Sequence, residues 1–361
     1  MHVGLVLEQC LAPVPGGTGR YSREIAAALA RRAPSAAVLS SATAWHRSIH
    51  DAVVPGVAGP RRLPLGRRPL VAAWERGVGP SVPGDVVHAP TPLAPPRRKH
   101  PLVVTVHDAV PWTHPETLTS RGVAWHRSAV ERAARTADAI VVPTQAVADE
   151  LTRYVAIGAD RLRVIGHGVS PDLATPADAD ARATRLQLPP RFLLTVATLE
   201  PRKGLGVLLD ALASPAAPSL PLLVAGQPGW GGLDPAAEAG RLGLGDRVRV
   251  LGRVSDQDLA VLLDRATAVV VPSRSEGFGL PLLEAMAAGT PAVISPVPAL
   301  VEVAAGAALV AEDGQLAEAL RQVVEHLSVR AGLIAAGKVR ASSYTWDRAA
   351  DALWQLYDDI S

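Results

Sequence analysis

The sequence is short of cysteine, of lysine and of long apolar runs. A single cysteine, Cys10, excludes an internal disulfide. Only three lysines, Lys99, Lys203 and Lys338, occur among 36 basic residues, so a lysine at a special position stands out. The longest charge-free stretch of the second half, Ala285–Val301, contains Pro291, Pro296 and Pro298 and is too short and too broken for a membrane helix. The opening MHVGLVLEQ has neither the basic start nor the small-residue cleavage site of a secretory signal; it reads as a strand, and the expected location is the cytoplasm. No Gly-Lys-Ser/Thr follows a glycine-rich turn, which excludes a Walker loop. A clean G-x-G-x-x-G with a downstream acid is also missing, which weighs against a dinucleotide site.

The 361 residues suffice for two domains, and 48% hydrophobic against 19% charged content permits large cores. The net charge of +2 is unevenly spread: residues 1–170 hold 20 Lys and Arg against 12 Asp and Glu, and residues 171–361 hold 16 against 22. The first half is therefore expected to meet something anionic. Two basic clusters lie there, Arg61, Arg62, Arg67 and Arg68, and Arg97, Arg98, Lys99 and His100. They read either as a patch for phosphorylated or membrane-surface substrates or as ordinary solvated arginines.

Strands are expected at Val3–Glu8, Ala37–Ser40, Asp85–His88, Leu102–His107, Ala139–Pro143 and Leu162–Ile165, with helices at Arg20–Arg32, Thr119–Arg135 and Thr144–Tyr154. Residues 13–19 read as a glycine-rich turn before the first helix. After a Pro/Ala/Asp/Thr-rich segment the pattern restarts: strands at Phe192–Ala197, Leu220–Ala225, Arg247–Leu251, Ala268–Val271 and Ala292–Ser295, and a helix at Lys203–Leu212. The class is α/β with parallel sheets. The expected domains are residues 1–168, a linker 169–190, residues 191–344, and a C-terminal helix 345–361 that packs back on the first domain.

Three stretches carry chemistry. In PSRSEGFGLPLLEAMAAG (272–289), Glu276 sits on a loop after a buried strand and Glu284 on the next helix, with flexible glycines between them. The bland reading is a strand–loop–helix unit with two solvated glutamates. In TLEPRKG (198–204), Arg202 and Lys203 crowd a helix N-terminus, where the dipole disfavours cations; either an anion between them removes the conflict or this is a surface helix start with two ordinary charges. VTVHD (104–108) ends a buried strand with His107 and Asp108, which serve either a ligand or only each other.

Together EGFGLPLLE (276–284), TLEPRKG, VTVHD and GGTGRY (16–21) resemble the retaining glycosyltransferases of family four, in motif order over essentially the whole chain. The resemblance implies the GT-B fold: two Rossmann-like domains whose parallel sheets face an interdomain cleft, an N-terminal acceptor domain and a C-terminal nucleotide-sugar domain. It implies a hexose, first of all mannose from GDP-mannose and next a UDP-sugar, passed with retention to a hydroxyl of a glycan or of a phosphorylated or lipid-linked acceptor. It also implies roles. Arg202 and Lys203 hold the donor diphosphate. Glu276 takes donor-sugar hydroxyls, Phe278 and Gly279 offer backbone amides, and Leu280 lies beside them. Glu284 takes the ribose diol, and His107 reaches the sugar near the reacting carbon. Gly16 and Gly17 approach phosphate and acceptor, and Gly252, Arg253 and Val254 lie by the base. No metal and no cofactor are called for, nor nucleic acid; peripheral contact with the inner membrane face is expected through the basic half. In one departure, Thr198 stands where many members carry an arginine, five positions before the lysine. A nicotinamide-dependent oxidoreductase and a catalytically silent sugar-nucleotide-binding protein are the competing readings.

Overall fold

The computed structural model describes residues 1–96, 99–312 and 314–361. Two compact units emerge: Met1–Gly168 together with Thr345–Ser361, and Val169–Tyr344. In the first, β1 (His2–Val6), β2 (Val38–Trp45), β3 (Ala58–Gly66), β4 (Val86–Ala89), β5 (Leu102–Thr105), β6 (Ala139–Val142) and β7 (Leu162–Val164) form one sheet. Their order is β3-β2-β1-β4-β5-β6-β7, parallel throughout. In the second, β8 (Leu193–Val196), β9 (Leu222–Ala225), β10 (Val248–Gly252), β11 (Ala268–Val271), β12 (Ala292–Ile294) and β13 (Leu309–Val310) follow the order β10-β9-β8-β11-β12-β13, again parallel. Both orders reverse once, between β1 and β4 and between β8 and β11. Open parallel sheets bind ligands beyond the strand ends at such a reversal.

The central strands are apolar runs because helices cover both sheet faces. LVVT, AIVV, LLVA and AVVV are buried at every position. Edge strand β3, AGPRRLPLG, follows no such pattern and was not expected from sequence: its prolines and arginines suit an edge, where ladder hydrogen bonds are needed on one side only. Thr144 and Ser255 cap the helices after them, accepting from Val147 N and Asp258 N.

Two local expectations are corrected. The turn expected at 13–19 is mostly helix: α1 runs Gly16–Arg31, so Gly17, Thr18 and Gly19 lie in its first turn, and Gly19 N already donates to Pro15 O. Arg202 and Lys203 do not sit in the first turn of an α-helix. They occupy a short 3-10 turn, Pro201–Lys203, and the helix proper begins at Leu205 after left-handed Gly204. A Cβ on Gly204 would fall 1.9 Å from Pro272 O, so only glycine lets this turn lie against the end of β11.

The closing helix Trp346–Ile360 belongs to the first unit. Its Trp354 Nε1 donates to Leu29 O, and Asp347 and Asp351 pair with Arg31, the last residue of α1, and Arg32 just after it. That helix carries four acids, so the first unit holds 21 Lys and Arg against 16 Asp and Glu, and the second 15 against 18. The charge asymmetry is milder in space than along the sequence. Among the described residues no helix is long and apolar enough to cross a membrane.

Candidate active site

In the second unit the reversal between β8 and β11 brings two distant motifs together. The β8 strand leads into TLEPRKG, and β11 leads into PSRSEGFG. Lys203 Nζ lies 2.6 Å from Glu276 Oε1, and Arg202 Nη1 lies 3.7 Å from Glu276 Oε2. Ser273 Oγ donates to Glu276 Oε1 at 2.7 Å, Arg202 Nη1 donates to Ser275 O, and Arg274 N donates to Arg202 O. Glu200, not singled out from sequence, lies 3.4 Å from Arg202 Nε. The four charges sum to zero, and the glutamate fills the anion seat that the sequence pattern called for.

The electrostatics follow from burial. Burial and the neighbouring Arg202 push the Lys203 ammonium below its ordinary value, while Glu276 opposes them. Burial alone would raise Glu276, but Lys203, Arg202 and Ser273 outweigh it and hold the carboxyl below its ordinary value. Glu276 is therefore ionised at neutral pH, and its contact with Lys203 is costly to break from one side.

Around it, α2 (Leu280–Ala288) starts from Gly279, at φ +87°, where a Cβ would meet Leu300 Cδ2 at 2.3 Å. Leu280 opens that helix and is half-buried; Glu284 is buried on its second turn. The Phe278 side chain packs in the core against Tyr344, 5.4 Å away, so only its backbone faces the loop. Gly252 closes β10 at φ +69°, its carbonyl taking Gly226 N; Arg253 is exposed and Val254 packs on the core. Thr198 lies one residue before the bridge between Leu199 and Pro228.

In the first unit His107 follows β5. Its Nε2 lies 2.8 Å from Pro90 O, and the Tyr21 ring of α1 stands edge-on, 4.7 Å away. Since a carbonyl only accepts, Nε2 carries the proton and Nδ1 the lone pair. Burial pushes the imidazole below its ordinary value, so it is neutral at pH 7. Asp108 does not take the ring; its Oδ1 accepts from Val110 N and starts the next short helix.

His107 lines a cleft of about 870 Å³ within the first unit. Thr18 of α1, Arg67, Arg68, Arg121 and Trp125 also line it. The first basic cluster is thus divided. Arg67 and Arg68 reach the cleft, while Arg62 donates to His46 O and Arg47 O. Arg67 lies 3.6 Å from buried Glu8. Among the described residues Arg68 and Arg121 have no ion pair. Of the second cluster, Lys99 and His100 are exposed, and Arg97 and Arg98 lie outside the described residues.

The family described as Glycosyltransferase Family 4 matches residues 15–173, and Glycosyl transferases group 1 matches residues 177–340. A D-inositol 3-phosphate glycosyltransferase of Saccharomonospora viridis is 31% identical over 97% of this chain and 91% of its own length. An O-antigen chain mannosyltransferase B of Escherichia coli is 31% identical over 73% of this chain and 71% of its own. Among solved structures, Anabaena Alr3699/HepE in complex with UDP and glucose superposes with a TM-score of 0.77 at 20% identity, covering both chains fully. WaaG, a glycosyltransferase involved in lipopolysaccharide biosynthesis, gives 0.72 at 21% identity over 99% of each chain. Two parallel sheets of this order, matched over their full length by such structures, are the GT-B fold. Sequence motifs, sheet order and full-length relatives thus agree: the chain is a member of the group 1, family 4 glycosyltransferases, which transfer sugar from a nucleotide sugar.

Proposed function

We propose that the chain moves a hexose, with retention and without a metal, from a nucleotide sugar to a hydroxyl of a phosphorylated acceptor. Mannose from GDP-mannose is the first choice of donor. One observation carries the reading: Lys203 and Arg202 converge on Glu276 where β8 and β11 diverge. Breaking a sugar–phosphate bond develops negative charge on the leaving diphosphate. Fixed cations in a water-poor site stabilise that charge most when their own desolvation is already in place. Lys203 and Arg202 are such cations.

In this reading the donor diphosphate displaces Glu276 from the cations. The released carboxylate turns to the sugar hydroxyls, with Gly279 and the Phe278 backbone beside it. Glu284 takes the ribose diol, and Gly252 to Val254 lie by the base. His107, neutral, accepts through Nδ1 from a hydroxyl near the reacting carbon. Gly16 and Gly17, in the first turn of α1, present N–H groups without helical partners to phosphate or acceptor. The leaving phosphate takes the acceptor's proton as the new bond forms on the same face of the sugar. Arg68 and Arg121 suit a phosphate on the acceptor. The inositol phosphate named in the Saccharomonospora relative supports a phosphorylated polyol, and the Escherichia relative supports mannose. UDP in the Anabaena structure makes UDP-sugars the next donors to try.

The test is a panel of GDP-mannose, UDP-glucose and ADP-glucose with myo-inositol 3-phosphate or phosphatidylinositol vesicles as acceptor. Release of nucleoside diphosphate is followed, and the product anomer is read by NMR. Retention with one donor is expected. Inversion, or a covalent glycosyl–enzyme trapped on a side chain, overturns the proposed course. Binding of a donor with neither hydrolysis nor transfer would instead establish a silent binding protein.

A further inference from the structure

His88 is fully buried on β4 and plays no part in the site just described. Its Nε2 lies 2.9 Å from Thr105 Oγ1 on β5, and its Nδ1 lies 2.6 Å from the Tyr357 hydroxyl on the closing helix. Thr105 Oγ1 also meets the Tyr21 hydroxyl at 3.2 Å. Burial pushes the His88 ring down to about 3, so it is neutral, with one N–H and one lone pair. It can bridge two hydroxyls only by donating to one and accepting from the other.

The register of β4 and β5 gives this bridge a target. His88 pairs with Val103 and Ala89 with Val104, so the two strands leave the sheet side by side. Two residues beyond His88 is Pro90, and two residues beyond Thr105 is His107. The Pro90–His107 hydrogen bond therefore joins the same two chains one step past the His88–Thr105 bond. Tyr21, held by Thr105, is also the ring that stands against His107. Pro90 and Tyr21 are thus both tied to His88 or Thr105, while the ring of His167 meets His107 from elsewhere, edge-on at 5.8 Å. A buried polar chain contributes little net stability compared with apolar packing, but it fixes direction.

We propose that His88 and Tyr357 are positioning residues that fix the ring orientation and the protonated nitrogen of His107. The consequence for transfer rests on the role given to His107 above; the consequence for its tautomer does not. Tyr357→Phe removes one oxygen and keeps the ring on Trp354, 5.6 Å away. It leaves His88 Nδ1 without its hydrogen-bond partner.

Two readouts test this on the whole chain. The first is ¹⁵N NMR of the imidazoles, with His107 assigned through His107→Gln. The expected wild-type signal is a single Nε2–H tautomer, and Tyr357→Phe and His88→Val should give mixed tautomers. The second is donor turnover. Expected is a fall in kcat of roughly 10-fold, inside the ~100-fold that a 1 Å misplacement can cost, with donor KM within about twofold. His88→Gln keeps one donor and one acceptor and should restore both readouts. An unchanged His107 tautomer and unchanged kcat in folded Tyr357→Phe overturn the proposal. So does a loss equal in His88→Gln and His88→Val, which marks a packing role only. If wild type turns over no donor, the functional reading fails while the NMR arm still decides the clamp.

Discussion

The two units share one topology and build opposite kinds of site at its reversal. In the second unit the strand ends carry charge: Lys203, Arg202, Glu276 and Glu200, all largely buried. In the first unit the groups joined to His107 are neutral, namely Tyr21 of α1, Thr105 and His88; Asp108 turns to Val110 N, and Arg67, Arg68 and Arg121 stand on the cleft wall. The contrast follows the ligands in the proposed reaction. A diphosphate leaving group needs fixed cations at the moment its charge grows, and a nucleophilic hydroxyl needs placement more than charge. One sheet plan serves both because the strands set only where loops emerge; the loop residues set the chemistry.

The largest effect that would sharpen this contrast is expected for Lys203→Ala. It removes a cation that the proposed reaction gives to the leaving diphosphate and strands Glu276, so donor turnover should fall by ~100- to 1,000-fold, measured as nucleoside diphosphate release. Folded stability should also drop, as one-sided loss of a buried pair costs ~3–5 kcal/mol. Near-normal turnover would remove the lysine from the site. Glu276→Gln comes next and separates binding from chemistry. With the anion seat vacated by charge, GDP or UDP should bind more tightly than to wild type, while sugar transfer falls by about 100-fold. Calorimetry that shows weaker nucleotide binding would mean the glutamate organises the cations and does not compete for them. Smaller still is Arg68→Ser or Arg121→Ser. Loss of a charged hydrogen bond, ~1.5–3 kcal/mol, should raise the KM for a phosphorylated acceptor by ~10-fold or more and leave nucleotide binding unchanged. An equal effect on an unphosphorylated acceptor would break the assignment of charge to the cleft wall.

How much of this the sequence carries depends on how local the signal is. The central strands are legible because burial on both faces writes a continuous apolar run. Strand β3 is not, since an edge tolerates Pro60, Pro64 and a pair of arginines. Gly16, Gly17 and Gly19 read as a turn because glycine is a poor helix former, and packing on the rest of α1 overrode that preference. The Glu276–Glu284 spacing and Lys203, a lysine in an arginine-rich chain, marked the charged site. Their mutual contact spans 73 residues and comes from sheet order, which no local pattern encodes. His88 left still less trace. It lies in an ordinary apolar strand, β4, and its partner Tyr357 lies 269 residues away on the closing helix.

The smallest expected effect concerns acid, and it tests whether the neutral unit is also the acid-labile one. The buried imidazoles of His88, His107 and His167 all lie below their ordinary value of 6.5 because burial disfavours the charged ring. Between that value and the folded one, the unfolded chain binds protons that the folded chain does not. Stability therefore falls as pH drops below 6.5, and for His88 it goes on falling toward about 3. Glu276 works in another window. Its folded value lies below 4.5, so its contribution is present above that and is lost only as pH falls through the folded value. From pH 6.5 to 4.5 these groups weaken the first unit alone. Six of the seven tryptophans lie in that unit, and only Trp230 lies in the other. The urea midpoint by tryptophan fluorescence should thus fall between pH 7 and pH 5 more than the midpoint of a far-ultraviolet circular dichroism phase assigned to the second unit. His88→Gln, which cannot take up the proton, should make the fluorescence midpoint less steep in pH. Parallel loss in both signals, unaltered by that substitution, would mean that the buried imidazoles do not set the acid response and that the two units unfold as one.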